Sequence, residues 1–135
     1  MNIPFLGSRR RKPGFPDAEG LAEPLAECEL LRSQASRSGV RLDDSPASLE
    51  ALDQLVPGWR DDEDTLNWLG NDAGLYLGTV IVRTVEGARW EIRGDGQPVV
   101  RLASGREFDV VESGHAWASS GAPELSQLYA EVAEA

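Results

Sequence analysis

The sequence predicts an α+β fold in which several helices pack on one face of a three-stranded antiparallel meander. Three observations predict it. Apolar residues recur at a 3.6-residue spacing between about residues 20 and 85 and again at the C-terminus. After Glu86-Gly87 the pattern changes to the two-residue alternation of strands. Two stretches of hairpin chemistry, Gly94-Asp95-Gly96-Gln97 and Ser104-Gly105, divide that region.

Each element follows in order. Residues 1 to about 19 hold three prolines, two glycines and the basic run Arg9-Arg10-Arg11-Lys12, with no sustained hydrophobic period, and read as a flexible basic arm; residues 20–135 read as a single domain. Leu21, Leu25, Cys28, Leu31 and Ala35 form one helical stripe, with Pro24 in the first turn and Gly39 placed to end it. Asp43-Asp44-Ser45-Pro46 supplies a cap side chain and an N1 proline for a helix from Pro46 to about Val56, which Pro57-Gly58 closes. Carboxylates at Asp61, Asp62, Glu63 and Asp64 gather where a helix dipole is positive.

The segment from Thr65 to Val85 admits two readings. As a helix it buries Leu66, Leu69, Ala73, Leu77, Val80 and Thr84; as a strand its second half has the β-branched content strands favour. Gly70, Gly74 and Gly78 decide for helix, because four-residue spacing aligns them along one side, a regularity without purpose in a strand. Relative to alanine, three glycines cost a helix about 3 kcal/mol. A compensating close approach of other backbone is therefore expected.

Arg89 to Arg93, Pro98 to Leu102 and Arg106 to Val111 read as the strands. With two-residue turns at Asp95-Gly96 and Ser104-Gly105, one face carries Trp90, Ile92, Val99, Phe108, Val110 and Arg101. The other carries Glu91, Arg93, Val100, Leu102, Glu107 and Asp109. Residues Ser113 to Ser120 read as one or two helical turns, and Leu125, Leu128, Tyr129 and Val132 as the stripe of a last helix.

Composition bounds the function. The chain has 135 residues and a formal charge of −10, with 41% of residues hydrophobic and 27% charged, values of a globular domain that needs no staples. Its one cysteine excludes an internal disulfide and suits a reducing compartment. No apolar run approaches the ~18 residues of a membrane span, and cytoplasmic residence is expected. All 23 acidic residues lie at Asp17 or later, so the nine basic residues beyond Lys12 leave the body at −14. Such a body repels nucleic acid. The basic arm, Arg9 to Lys12, is the part suited to an anionic surface.

No phosphate-binding, dinucleotide, zinc-protease or Cys-x-x-Cys motif occurs, and no cofactor or metal is expected. Asp61 to Asp64 lack the alternating ligand spacing of a calcium loop and read as a solvated helix start. His115 is the only histidine, and its serine neighbours form no nucleophile motif. Cys28 reads as a core filler, and Arg93-Gly94-Asp95 as turn chemistry. The candidate binding residues are the row Gly70, Gly74 and Gly78, which is either internal packing or an open groove, the surface formed by Trp68, Asn71, Asp72 and Tyr76, and Arg101 on the sheet.

The run Trp68-Leu69-Gly70-Asn71-Asp72-Ala73-Gly74-Leu75-Tyr76-Leu77-Gly78, followed by Gly87-Ala88-Arg89-Trp90 and Pro98-Val99-Val100-Arg101-Leu102, resembles an uncharacterised family of small acidic proteins from high-GC Gram-positive bacteria. The resemblance covers about residues 40 to 132 and extends to Met1 to Lys12. In similar bacterial domains the first run is taken as helix and the tryptophan as the start of a strand, which supports the helical reading. The resemblance carries over no catalytic residue. The resulting expectation is a non-catalytic protein–protein interaction module, in one version an inhibitor or immunity-type protein. The alternative is a small-molecule binder or enzyme with a pocket between the glycine-row helix and the sheet, using Asp72, Arg101 or His115.

Overall fold

A computed structural model of the chain describes residues 28–134. The basic arm and the first part of the first expected helix, residues 21–27, lie outside the described residues. Five helices and three strands follow in the order α1 (Glu29–Arg37), α2 (Pro46–Trp59), α3 (Glu63–Thr84), β1 (Arg89–Ile92), β2 (Pro98–Arg101), β3 (Glu107–Phe108), α4 (Val110–Ser120) and α5 (Leu125–Glu134). The fold is α+β, as predicted. Among the described residues no helix is long and apolar enough to cross a membrane.

The 22-residue α3 touches the four other described helices together with β1 and β2. Its start is fixed by Asp62, whose carboxylate accepts from the Asp64 and Thr65 amides at 3.0 and 3.4 Å. The expected stripe of Leu69, Ala73, Leu77 and Val80 is fully buried, while Leu66 is half-buried and Thr84 exposed. Tyr76 and Ile81 are buried too, so α3 is covered on more than one side.

Three boundaries differ from expectation. Cys28, expected on the stripe of the first helix, takes a left-handed φ of 41° and lies just before α1; it is buried all the same. The second helix continues past Pro57 to Trp59, whose buried ring outweighs the hydrogen bond a proline in the last turn removes. The third expected strand stops at Phe108, because Asp109 accepts from the Glu112 amide at 3.0 Å and starts α4. Asp109-x-x-Glu112 is a helix-start pattern that the β-branched pair Val110-Val111 obscured.

The sheet order is β1-β2-β3, antiparallel throughout. Trp90 pairs with Val100, and Val100 with Phe108, which is one residue away from the expected register in both hairpins. The loops hold three residues, not two. Arg93 donates to the Gln97 carbonyl at 2.9 Å around Gly94-Asp95-Gly96, and Leu102 donates to the Arg106 carbonyl at 2.8 Å around Ala103-Ser104-Gly105. Gly96 and Gly105, with φ of 88° and 92°, take the left-handed position, whereas Asp95 and Ser104 do not. This is the three-residue hairpin with a glycine bulge.

Two one-residue slips cancel between β1 and β3 but invert β2. Trp90, Ile92 and Phe108 keep their expected side, Val100 joins them in place of Val99, and Arg101 moves to the other side with Arg89, Glu91 and Glu107. Trp90 and Val100 enter the common core with α3 and α4.

Candidate functional site

The glycine row is closed by the protein's own backbone. A Cβ on Gly74 would collide with the Val110 carbonyl oxygen and lie 2.7 Å from the Val111 Cα. One on Gly70 would meet the His115 ring and, at 2.9 Å, its Cα, and one on Gly78 would meet the indole of Trp90. From the opposite helix, Gly114 has no room for a Cβ against the Gly70 carbonyl oxygen and the backbone of Gly74. The helices α3 and α4 therefore cross with backbone against backbone, which is the compensation a glycine-rich helix requires. Of the two readings of the row, internal packing is the one realised.

Tyr76 is fully buried and therefore not part of a surface with Trp68. Its hydroxyl accepts the Asp44 amide at 2.8 Å and lies 2.7 Å from the Ser48 hydroxyl. Arg32 places its guanidinium 5.2 Å from the ring centroid and bonds Asp44 at 2.9 Å. Arg83 reaches the other Asp44 oxygen at 3.2 Å. Burial pushes the phenol of Tyr76 above its usual range, against the opposing pull of the Ser48 and Asp44 hydrogen bonds. The group locks α3 to the start of α2 and to the loop that carries the left-handed Asp44 (φ 64°).

Asp72 is half-buried and accepts the Leu31 amide at 3.2 Å. Cys28 offers α1 no side-chain cap, so a carboxylate from α3 takes the place of one. Burial raises the Asp72 pKa, and the hydrogen bonds from Leu31, Asn71 and Leu30 only partly offset it. Trp68 is half-buried against the core. Asn71 is exposed.

Asp53 does for α5 what Asp72 does for α1. One of its oxygens accepts the Trp117 indole N–H at 2.9 Å and the Leu125 amide at 2.8 Å. The other accepts the Ser126 amide at 3.1 Å and the Ser126 hydroxyl at 2.6 Å. Sequence reading passed over Asp53, whose only local signal is a polar residue amid the apolar face of α2.

Arg101 lies apart from these groups. It donates to Glu91 through Nε at 2.9 Å, to Glu107 at 3.2 Å and to the Gly105 carbonyl at 2.7 Å. The hydrogen bonds from Arg101 hold the Glu91 carboxyl below the usual carboxylate range. Arg93 is bonded to Asp109. His115 is exposed beside Gly70 and bonded to none of the serines near it; Ser119 and Ser120 donate to the Ala116 carbonyl. Among the described residues no group of three or more His, Cys, Asp or Glu could hold a metal ion.

The seven candidates thus do not converge. Gly70, Gly74 and Gly78 face α4 and Trp90, Tyr76 and Asp72 join α3 to the segments before it, and Arg101 lies on the charged side of the sheet. Asp61, Asp62, Glu63 and Asp64 are all exposed and make no ion pair among the described residues.

A family model described as "Family of unknown function (DUF6278)" matches residues 1–135, the whole chain, and the protein belongs to that family. No curated protein and no solved structure matches it.

Proposed function

We propose that this member of a family without an assigned function is a non-catalytic interaction domain of the bacterial cytoplasm that presents its acidic surface to a basic protein. One observation carries the reading: internal ion pairing leaves a large excess of carboxylates outside any pair. Ion pairs engage Arg32, Arg83, Arg93 and Arg101, four of the nine arginines between residues 28 and 134. They engage Asp44, Glu91, Asp95, Glu107 and Asp109, five of the 19 carboxylates there, which leaves 14 carboxylates against five arginines. A surface with a large excess of one sign steers association with a partner of the other and disfavours wrong partners. An inhibitor or immunity-type protein that neutralises a basic target is the specific form of this reading.

The test is capture from a lysate of the native cells on the immobilised full chain, at about 0.05 M and about 0.5 M salt. A basic protein retained at the lower salt, released at the higher and lost by the D61K/E63K/D64K variant is expected. No retained protein, or one held equally by the variant, would refute it.

A further inference from the structure

Among the described residues the outer edge of β1 is unpaired, since β1 ends the sheet and β2 bonds only its inner edge. The bond from Arg93 to Gln97 sets the parity of the ladder: Glu91 and Arg89 also face β2, and Trp90 and Ile92 turn their N–H and C=O outward. Neither Trp90 nor Ile92 donates its amide to another described residue. Ile92 is also one of the two large apolar side chains left exposed among the described residues, at 40%. Such an edge is a template for another strand unless something blocks it.

We propose that this edge pairs with β1 of a second copy of the chain, antiparallel and centred on Trp90. Charge selects both the occupant and the register. On the side of the sheet away from the helices β1 reads Arg89, Glu91, Arg93. A two-fold axis at Trp90 sets Arg89 opposite the partner's Glu91, and Glu91 opposite the partner's Arg89. An axis one residue later sets Glu91 against Glu91 and Arg89 against Arg93, which is repulsive. An axis at Ile92 needs residues 93–96, which the hairpin loop already bends away. Centred on Trp90, Arg89 to Glu91 of the two strands lie opposite one another, and each exposed Ile92 covers Ala88 of its partner, the residue just before β1.

The side chains are free to do this. Arg89 is exposed and makes no salt bridge among the described residues. Arg101 occupies a single oxygen of Glu91, Oε1, and leaves Oε2 for the partner. The backbone contributes bonds between the two Trp90 residues and from each Ile92 amide to the partner's Ala88 carbonyl. The Ala88 amide itself is held by the Val85 carbonyl at 3.2 Å. Because so short a strand buries little area and both bodies are acidic, the dimer is a weak one that forms at high protein concentration.

Sedimentation equilibrium of the full chain over a wide concentration range tests the proposal. The expected mass rises from 14.6 kDa toward about twice that value. R89E, which sets four carboxylates around the axis, raises the dissociation constant roughly tenfold. R89E/E91R, which exchanges the charges, restores it. I92P removes an outward amide that the chain's own ladder does not use and abolishes dimerisation while far-UV circular dichroism stays unchanged. A chain that is monomeric at every concentration overturns the proposal and leaves the edge to a strand of another protein. A dimer indifferent to R89E and I92P, or a double variant no tighter than R89E, overturns it equally.

Discussion

Replacing Gly74 with alanine puts the backbone crossing of α3 and α4 to a quantitative test. In an open helix the change would add about 1 kcal/mol of stability, because alanine is the better helix former. Here the new methyl lies 2.7 Å from the Val111 Cα and closer still to the Val110 carbonyl oxygen, where ordinary contacts run from 3.4 to 4 Å. Both neighbours are main chain, so no side-chain rotation relieves the clash, and the helices must part by about 1 Å along a fully packed seam. Overpacking of this kind costs about 1–3 kcal/mol, and main-chain neighbours place it at the upper end. After the gain in propensity the net loss is about 2 kcal/mol, which lowers Tm by about 8 °C in a domain of this size. Gly58→Ala is the matched control: Gly58 also lies in a helix, but a Cβ there meets nothing within 4 Å, and a gain of up to about 1 kcal/mol is expected. Urea and thermal unfolding read both variants. If Gly74→Ala is as stable as the natural chain, or Gly58→Ala is equally damaging, the crossing does not limit the helices as argued.

Three further outcomes follow from the polar contacts. Asp53→Ala removes the acceptor for the first turn of α5 and for the Trp117 indole, and a loss of about 2–4 kcal/mol in urea unfolding is expected; a loss under about 1 kcal/mol would show that water replaces the carboxylate. Tyr76→Phe leaves the ring but deprives the Asp44 amide and the Ser48 hydroxyl of their partner, for an expected loss of about 1–2 kcal/mol measured the same way. Asp72 has a sign opposite to that of most carboxylates: burial raises its folded pKa above the unfolded 3.8, so stability falls as pH rises through that interval and stays lower at neutral pH. Asp72→Asn keeps an acceptor for the Leu31 amide without ionising. It is expected to exceed the natural chain in stability near pH 7, with the advantage vanishing as pH falls below about 4; an advantage that grows on acidification would contradict the assignment.

The helices α2, α3 and α5 were readable because each carries a local signature. Asp62 before α3, Ser45-Pro46 before α2 and the periodic leucines of α5 are all confined to a single turn or stripe. The register of the sheet was not. Asp95-Gly96 and Ser104-Gly105 each suit a two-residue turn, and the choice of a three-residue loop turns on which residue takes positive φ, a difference that inverted β2 and moved Arg101 from the core side to the charged side. The capping of α1 and α5 was hidden for another reason. Asp72 lies 41 residues from Leu31, and Asp53 lies 72 from Leu125, so no local window contains both partners. Among the candidate residues, the glycine row was readable as a demand for close approach. Its partner, Gly114, was not, because a single glycine within Ser113 to Ser120 has no period to mark it.

The contact of Gly114 with Gly70 and Gly74 also bears on the order in which the chain acquires structure. Three glycines in 22 residues leave α3 a poor helix by itself, and its reinforcement arrives about forty residues later, after both hairpins. Closing that loop is entropically unfavourable until the meander has formed and brought α4 back. Persistence of α3 and arrival of α4 are then a single cooperative event. Amide protons at the centre of α3 are expected to exchange with solvent only in molecules from which α4 has departed, which makes this helix a reporter of global opening and not of local fraying.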